Sequence, residues 1–362
     1  SRGEHIMTEV PDVMRAAVLF GPNDLRVVEK PVPRPAHDEV LVRVAMCGAC
    51  GTDIAIQAEP FPAQPPFGSF TPGHEWTGTV VSRGAGVDEV DVGQRVAIHV
   101  HHGCGRCRNC LTGSYTACEN YGDHEKGHSA TGFTTDGGFA EYVIHNVSCV
   151  YPLPDNLSWE ESVLVSTAGT SVYGLDRVGG LVAGDTVVVI GPGPVGIMTA
   201  QVARALGATK VIVVGTRQER LDLAAALGAT DVVKSVTHDA VAEVRRLTRG
   251  RGADMVIESS GDPLTPNQGL QMLRRGGKLL ILAFYKDPVP FNLGFANREE
   301  ISLVTSRGEG RQAVGRALAL AAAGLISGER LVTHRFPLDE IQEGFDMLRS
   351  RQGKPMKVVF IP

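Results

Sequence analysis

Residues 185–206 read DTVVVIGPGPVGIMTAQVARAL: an apolar run, a glycine-rich turn and then a helical pattern. A strand that is apolar at successive positions is buried on both faces, as happens in a parallel sheet covered by helices. The alternation continues downstream. Strands are expected at Lys210–Val214, Asp231–Val233, Ala253–Glu258 and Lys278–Ala283. Helices are expected at Val195–Leu206, Glu219–Leu227 and around Asn267–Leu273. Strands alternating with helices imply an α/β, doubly wound parallel sheet.

The turn, Gly191-Pro192-Gly193-Pro194-Val195-Gly196, is G-x-G-x-x-G between a strand and a helix. In that setting Gly191 permits the tight turn, Gly193 lets a pyrophosphate approach the backbone, and Gly196 lets the helix pack on the strand. The phosphates would then sit on the positive N-terminus of the helix. The second strand of such a unit usually ends in a carboxylate that binds the adenosine ribose hydroxyls. Here it ends Val214-Gly215-Thr216-Arg217, with Arg220 one turn further on. Gly215 removes the charge that would repel a 2′-phosphate, Thr216 can donate a hydrogen bond, and Arg217 offers a fork matched to phosphate. The expected cofactor is NADP rather than NAD; the alternative is that Arg217 and Arg220 are solvated surface residues.

The chain before about Val150 has a different texture. Ala16–Phe20, Val40–Ala45, Gly78–Ser82 and Arg95–Val100 are short β-branched segments bounded by turn residues, which suggests an all-β, barrel-like domain. Glu59–Pro72 is a proline-rich loop. After about Arg307, a helix at Arg311–Ala323 and a short strand at Lys357–Ile361 are expected to return to this first domain. The 362 residues suffice for two domains. The net charge of −5 provides no basic field for nucleic acid. No apolar run approaches the length that spans a bilayer. SRGEHIM reads as an appended tag before a start at Met7, no secretory leader is read, and a reducing cytoplasm is the expected setting.

Four of the seven cysteines lie together, Cys104, Cys107, Cys110 and Cys118, spaced C-x2-C-x2-C-x7-C. Four thiolates this close can surround one Zn²⁺ with no position left open, a structural site. Disulfides fit poorly with an odd total and crowded spacing. An iron–sulfur cluster also takes four thiolates. A second set, Cys50 in Cys50-Gly51-Thr52-Asp53 and His74-Glu75 after Gly73, supplies three further zinc-ligand types. Three protein ligands plus water make a catalytic site.

These motifs, with D-G-G-F-A-E-Y at Asp136–Tyr142 and the glycine turn, resemble the zinc-containing medium-chain alcohol and polyol dehydrogenases over nearly the whole chain. The resemblance implies a GroES-like β-barrel catalytic domain built from residues 7–168 and 309–362, with a zinc lobe at about 103–120. Residues 169–308 would form a Rossmann domain. It implies that Cys50 and His74 ligate a catalytic zinc, with Glu75 a ligand or a close neighbour. Thr52 would bond the substrate oxygen and start the proton relay, Asp53 would orient a ligand, and Lys357 would contact the cofactor phosphates, as Arg307 also could. Cys47 has no assigned role beyond small apolar packing. His99, His101 and His102 fall where the family lines its substrate pocket. Two positions depart from the pattern: Ala55 stands at the usual relay histidine, leaving water, a ribose hydroxyl or another histidine such as His101, His102 or His124 to serve. Thr167 stands where a further zinc-binding cysteine is common. The expected activity is hydride transfer between a nicotinamide cofactor and an alcohol, polyol or carbonyl, in a homodimer or homotetramer. A zinc-independent reductase and a non-catalytic dinucleotide sensor are the alternatives.

Overall fold

In the computed structural model of the chain, residues 10–310 and 312–362 are described. SRGEHIM and the Arg311 start of one expected helix lie outside them. Two compact units form. One runs up to Ser166 and takes up Gly310–Leu318 and Gly328–Pro362; the other is Thr167–Glu309 with Ala319–Ser327. No helix among the described residues is long and apolar enough to cross a membrane.

The first unit is built on a seven-stranded sheet. Its main path runs Val332–Pro337, Lys357–Ile361, Glu39–Ala49, Glu75–Arg83, Arg95–Ile98 and Val150–Pro152, with Tyr142–Asn146 also on Glu39–Ala49. All pairs are antiparallel except Val332–Pro337 with Lys357–Ile361. Two expected strands grow longer in the fold. Val40–Ala45 becomes Glu39–Ala49, and Gly78–Ser82 becomes Glu75–Arg83. They stay paired as far as Gly48 opposite Glu75, while the last strand sets Val358 opposite Ala49. Three segments distant in sequence thus meet just before Cys50. The hairpin partner of the first strand, Asp24–Pro31, is a strand despite charged residues that break the strand pattern in the sequence.

Phe360 from the last strand anchors the core of this unit. It meets Phe139 edge-on at 5.4 Å and stacks on Phe345 at 5.4 Å. All three rings are fully buried.

The second unit has a six-stranded, all-parallel sheet. Its order is Asp231–Lys234, Lys210–Gly215, Thr186–Ile190, Ala253–Glu258, Leu273–Ile281 and Ser302–Thr305. In sequence order this is 3-2-1-4-5-6, the doubly wound dinucleotide-binding topology. The chain reverses direction across the sheet between Thr186–Ile190 and Ala253–Glu258, and such switch points place ligands at the carboxyl ends of these strands. Leu273–Ile281 starts earlier than expected: Arg274 and the two glycines after it read as a loop, yet Leu273 pairs with Ala253 and Arg274 Nε donates to Asp254 at 2.7 Å. The fold adds two helices beyond those the sequence pattern implies, Ala240–Leu247, capped by Asp239, and Val165–Arg177.

Replacing Phe360 with alanine is expected to cost about 3–5 kcal/mol, the range for a buried aromatic ring. Chemical denaturation of the Phe360→Ala protein would show this as a lowered midpoint.

Candidate metal centre and dinucleotide site

The four sulfurs of Cys104, Cys107, Cys110 and Cys118 all lie within 4.8 Å of one another. Those of Cys104 and Cys110 are 3.9 Å apart and those of Cys107 and Cys118 are 4.0 Å apart. Four sulfurs each about 2.3 Å from one tetrahedral zinc stand about 3.8 Å from each other. The set fits a single zinc; a cluster of several iron atoms would hold them wider apart. No disulfide forms among the seven cysteines. Amide groups are aimed at the sulfurs: Cys107 N–H donates to Cys104, Cys110 N–H to Cys107, and the Asn120 side chain to Cys104 at 3.2 Å. The Arg106 N–H is the main cause pulling Cys104 down to about 6, whereas burial pushes Cys110 up to about 12. A dication bound by all four deprotonates them outright.

The second cluster starts from the strand ends. Cys50 precedes the helix Gly51–Ala58, and its backbone N–H donates to Asp53 Oδ2 at 2.8 Å. The other oxygen of Asp53 meets His74 Nδ1 at 3.2 Å. One fully buried carboxylate therefore ties the Cys50 backbone to the His74 ring. It engages Nδ1, so Nε2 is the ring nitrogen that would ligate a metal. Burial disfavours the imidazolium, yet Asp53 holds His74 above its ordinary range. The segment bearing His74 is backed by the Asp136–Tyr142 stretch. Gly137 N–H donates to Thr71 and Gly138 N–H to Gly73, both at 2.7 Å. Gly73 is left-handed, at φ +101°, and a Cβ there would stand 3.0 Å from the buried Cys47 sulfur.

Cys50, His74 and Glu75 each offer a ligand atom, and these atoms lie within 4.8 Å of one another. One soft sulfur, one imidazole and one carboxylate make a borderline donor set that suits zinc. The Thr52 hydroxyl is 3.6 Å from the Cys50 sulfur. Phe133 lies against His74, with ring centroids 4.7 Å apart.

Lys357 has a carboxylate partner that the resemblance did not suggest. It is only 2% exposed, and its ammonium bonds Glu75 Oε2. Burial disfavours its charge, but Glu75 and Cys50 more than offset this and hold it above the ordinary lysine range. A Cβ on Gly48 would stand 2.9 Å from that same carboxylate oxygen, so glycine at this position keeps the pair's space open. The sequence gives a warning only in its charge: a lysine at the head of an apolar strand. The three neighbouring histidines also diverge instead of forming one polar lining. His99 stacks on Tyr115 and bonds Tyr151 OH at 3.1 Å, His101 stacks on Phe133, and His102 bonds Ser148 at 3.0 Å.

In the second unit the glycine turn sits at the sheet's switch point. Gly191 has φ +100°, and a Cβ there would stand 2.7 Å from Ser260. On Gly196 a Cβ would be 1.9 Å from the Gly191 carbonyl. The helix Pro194–Ala205 starts with Pro194 at its first turn and with Gly193 as N-cap, so no side chain covers its first N–H groups. Val195 follows in that first turn. Arg220 Nη1 reaches 4.0 Å from the position a Cβ would take on Gly193. A Cβ on Gly215 would be 2.5 Å from the Pro192 ring, so any side chain there, acidic or not, would need the turn to shift. Thr216 is exposed, Arg217 is half-buried and caps the helix Gln218–Ala226, and Arg307 is exposed. Thr167 lies buried within Val165–Arg177.

Comparison with known proteins follows the same division. The alcohol dehydrogenase GroES-like domain family matches residues 36–155, and the zinc-binding dehydrogenase family matches residues 194–323. Sorbitol dehydrogenase of Bacillus subtilis is 31% identical over 360 residues, covering 98% of each chain. The chain belongs to the zinc-containing medium-chain dehydrogenase family. L-threonine 3-dehydrogenase of Bacillus licheniformis is 34% identical, covering 92% of this chain and 94% of that one. A protein from Sinorhizobium meliloti, solved with NADP bound, superposes with a TM-score of 0.87 at 30% identity, covering 97% of this chain and 100% of that one. This medium-chain dehydrogenase is a zinc-dependent oxidoreductase of the alcohol dehydrogenase type that uses a nicotinamide cofactor and acts on small-molecule alcohols. The zinc-independent and purely sensory alternatives are set aside.

Because Asp53 orients both Cys50 and His74, Asp53→Asn is expected to weaken metal at that cluster by about 10–100-fold while leaving the four-cysteine site filled. Competition against a chelator, followed by metal analysis, measures the two sites separately.

Proposed function

We propose that Cys50, His74 and Glu75 hold the catalytic zinc, and that this dehydrogenase moves hydride between NADP(H) and a secondary alcohol or polyol and its ketone. The observation that carries this reading is the mutual approach of the three ligand atoms with Asp53 bridging two of them. Zinc bound there supplies Lewis-acid polarisation of the substrate oxygen. The nicotinamide supplies the hydride chemistry itself.

The chain's own residues do the rest. Asp53 fixes the His74 ring and the Cys50 backbone, so both ligands arrive oriented. Lys357 holds Oε2 of Glu75, and its charge offsets that of the thiolate and carboxylates in a dry site. Thr52, beside Cys50, accepts a hydrogen bond from the alcohol and passes its proton outward. Ala55 is exposed and carries no proton, so water or a ribose hydroxyl completes the relay.

Three features support NADP over NAD. Pro192 leaves no room for a carboxylate at Gly215. Arg220 lies over the glycine turn. Arg217 begins the next helix, beside the end of the second strand. A 2′-phosphate fits two guanidinium forks and would be repelled by a carboxylate. We also propose self-association into a dimer or tetramer: among the described residues, Ser302–Thr305 ends the second sheet with an open ladder edge and Leu303 43% exposed. The reduced cysteines agree with a cytoplasmic setting.

Steady-state kinetics with both cofactors across secondary alcohols, polyols and ketones tests this reading. The kcat/KM is expected to favour NADP, and Arg217→Ala should cut that preference by about 10–100-fold, the worth of a charge-assisted hydrogen-bond pair. A clear preference for NAD in the wild-type enzyme contradicts the cofactor assignment.

A further inference from the structure

The second unit holds a buried carboxylate that neither the glycine turn nor the metal site uses. Glu258 ends the strand Ala253–Glu258, pairing beside Ile190 on one side and Ile281 on the other, and is 0% exposed. Its Oε1 accepts from Ser260 N–H at 2.7 Å, Gly261 N–H at 3.3 Å and Thr265 Oγ1 at 2.9 Å, and from the Ser260 hydroxyl. Its Oε2 accepts from the Tyr285 hydroxyl. Burial, and then Glu258 itself, push the Tyr285 phenol well above its ordinary range, so it stays a donor. One carboxylate thus gathers three segments: Ser259–Gly261, the start of the helix Thr265–Met272, and the loop after Leu273–Ile281.

Each segment faces the cofactor side of the sheet. Ser259 Oγ donates to the carbonyls of Ile190 and Gly191 at 2.9 and 3.0 Å, and Ser260 is the surface on which Gly191 lies. The loop after Leu273–Ile281 is clipped at its far end as well. Asn267 donates to the Pro290 carbonyl and accepts from Asn292 N–H, both at 2.9 Å. In a doubly wound sheet the two mononucleotide halves lie on either side of the switch. The strands Thr186–Ile190, Lys210–Gly215 and Asp231–Lys234 serve the adenosine half. The strands Ala253–Glu258, Leu273–Ile281 and Ser302–Thr305 serve the nicotinamide half.

We propose that Glu258 and Tyr285 are positioning residues for the nicotinamide half of the dinucleotide. By fixing the loop after Leu273–Ile281 against the glycine turn, they set the floor on which the ring rests before hydride transfer. Tyr285 touches the carboxylate rather than the reacting atoms, so it acts through the loop it holds. This rests on reading the Gly191–Gly196 turn as the dinucleotide site.

Calorimetric titration of the wild type, Tyr285→Phe and Glu258→Gln with NADPH and with ADP-ribose tests it. ADP-ribose carries the adenosine, both bridging phosphates and the second ribose but neither the nicotinamide nor the 2′-phosphate, so each variant is compared with the wild type for the same ligand. Tyr285→Phe should weaken NADPH about tenfold, the worth of one hydrogen bond to a charged group. ADP-ribose should be held within about twofold of wild type, since its half of the site is untouched. At saturating cofactor, kcat should fall while the alcohol's KM holds. Glu258→Gln should show the same selectivity. If Tyr285→Phe does not fold, Thr265→Val removes another donor to the same carboxylate and should produce a smaller loss of the same kind. Equal weakening of both ligands, or no weakening of either, overturns the proposal. Failure of the wild type to bind either ligand would instead overturn the dinucleotide reading on which it stands.

Discussion

Everything at the metal centre depends on how buried charge is balanced around Cys50, His74 and Glu75. Two carboxylates, Asp53 and Glu75, are buried within one small region, together with a thiol that must ionise to act as a ligand. Stripping water from such groups costs several kcal/mol each unless partners are held in place. Here Asp53 is shared between the Cys50 backbone and His74, and Glu75 is engaged by Lys357. A dication bound there would add the remaining positive charge. The sheet exists in the register that makes this possible: Gly48 lies opposite Glu75, and the C-terminal strand lies beside it.

The nucleotide half follows a different rule, that of close approach. Its positions are defined by what has no side chain. Gly191 lies against Ser260, Gly196 against the turn's own carbonyl, and Gly215 against Pro192. The last contact joins two questions that look separate in sequence, the shape of the phosphate turn and the charge beside the ribose. In this backbone a side chain at Gly215 would collide with the Pro192 ring, so the end of the second strand itself carries no carboxylate. Beside this close-packed turn, Glu258 supplies a dense polar anchor.

Much of this was legible in the chain. The glycine turn, the four-cysteine lobe and the Cys50, Thr52, Asp53, His74 and Glu75 motifs are local, and local spacing survives folding. The parallel sheet was readable because its central strands, Thr186–Ile190, Lys210–Gly215 and Ala253–Glu258, carry apolar runs. What stayed hidden depends on partners far away in sequence. Lys357 lies 282 residues from Glu75, and nothing near it signals that its charge will be buried there. Leu273–Ile281 begins in arginines and glycines that mimic a loop until Asp254 and the register of its neighbour are known. Three adjacent histidines suggested a shared role, yet the strand pleat and the surrounding rings send them to three different partners. Glu258 and Tyr285 carry no motif at all; only the topology places them together.

The central claim is that the chain holds two zinc ions, one closed and structural and the other open at Cys50, His74 and Glu75. Anomalous diffraction at the zinc edge tests it most directly. Two peaks per chain are predicted, one inside the Cys104–Cys118 lobe and one bounded by Cys50, His74 and Glu75. A single peak confined to the lobe in fully zinc-loaded protein would contradict the account.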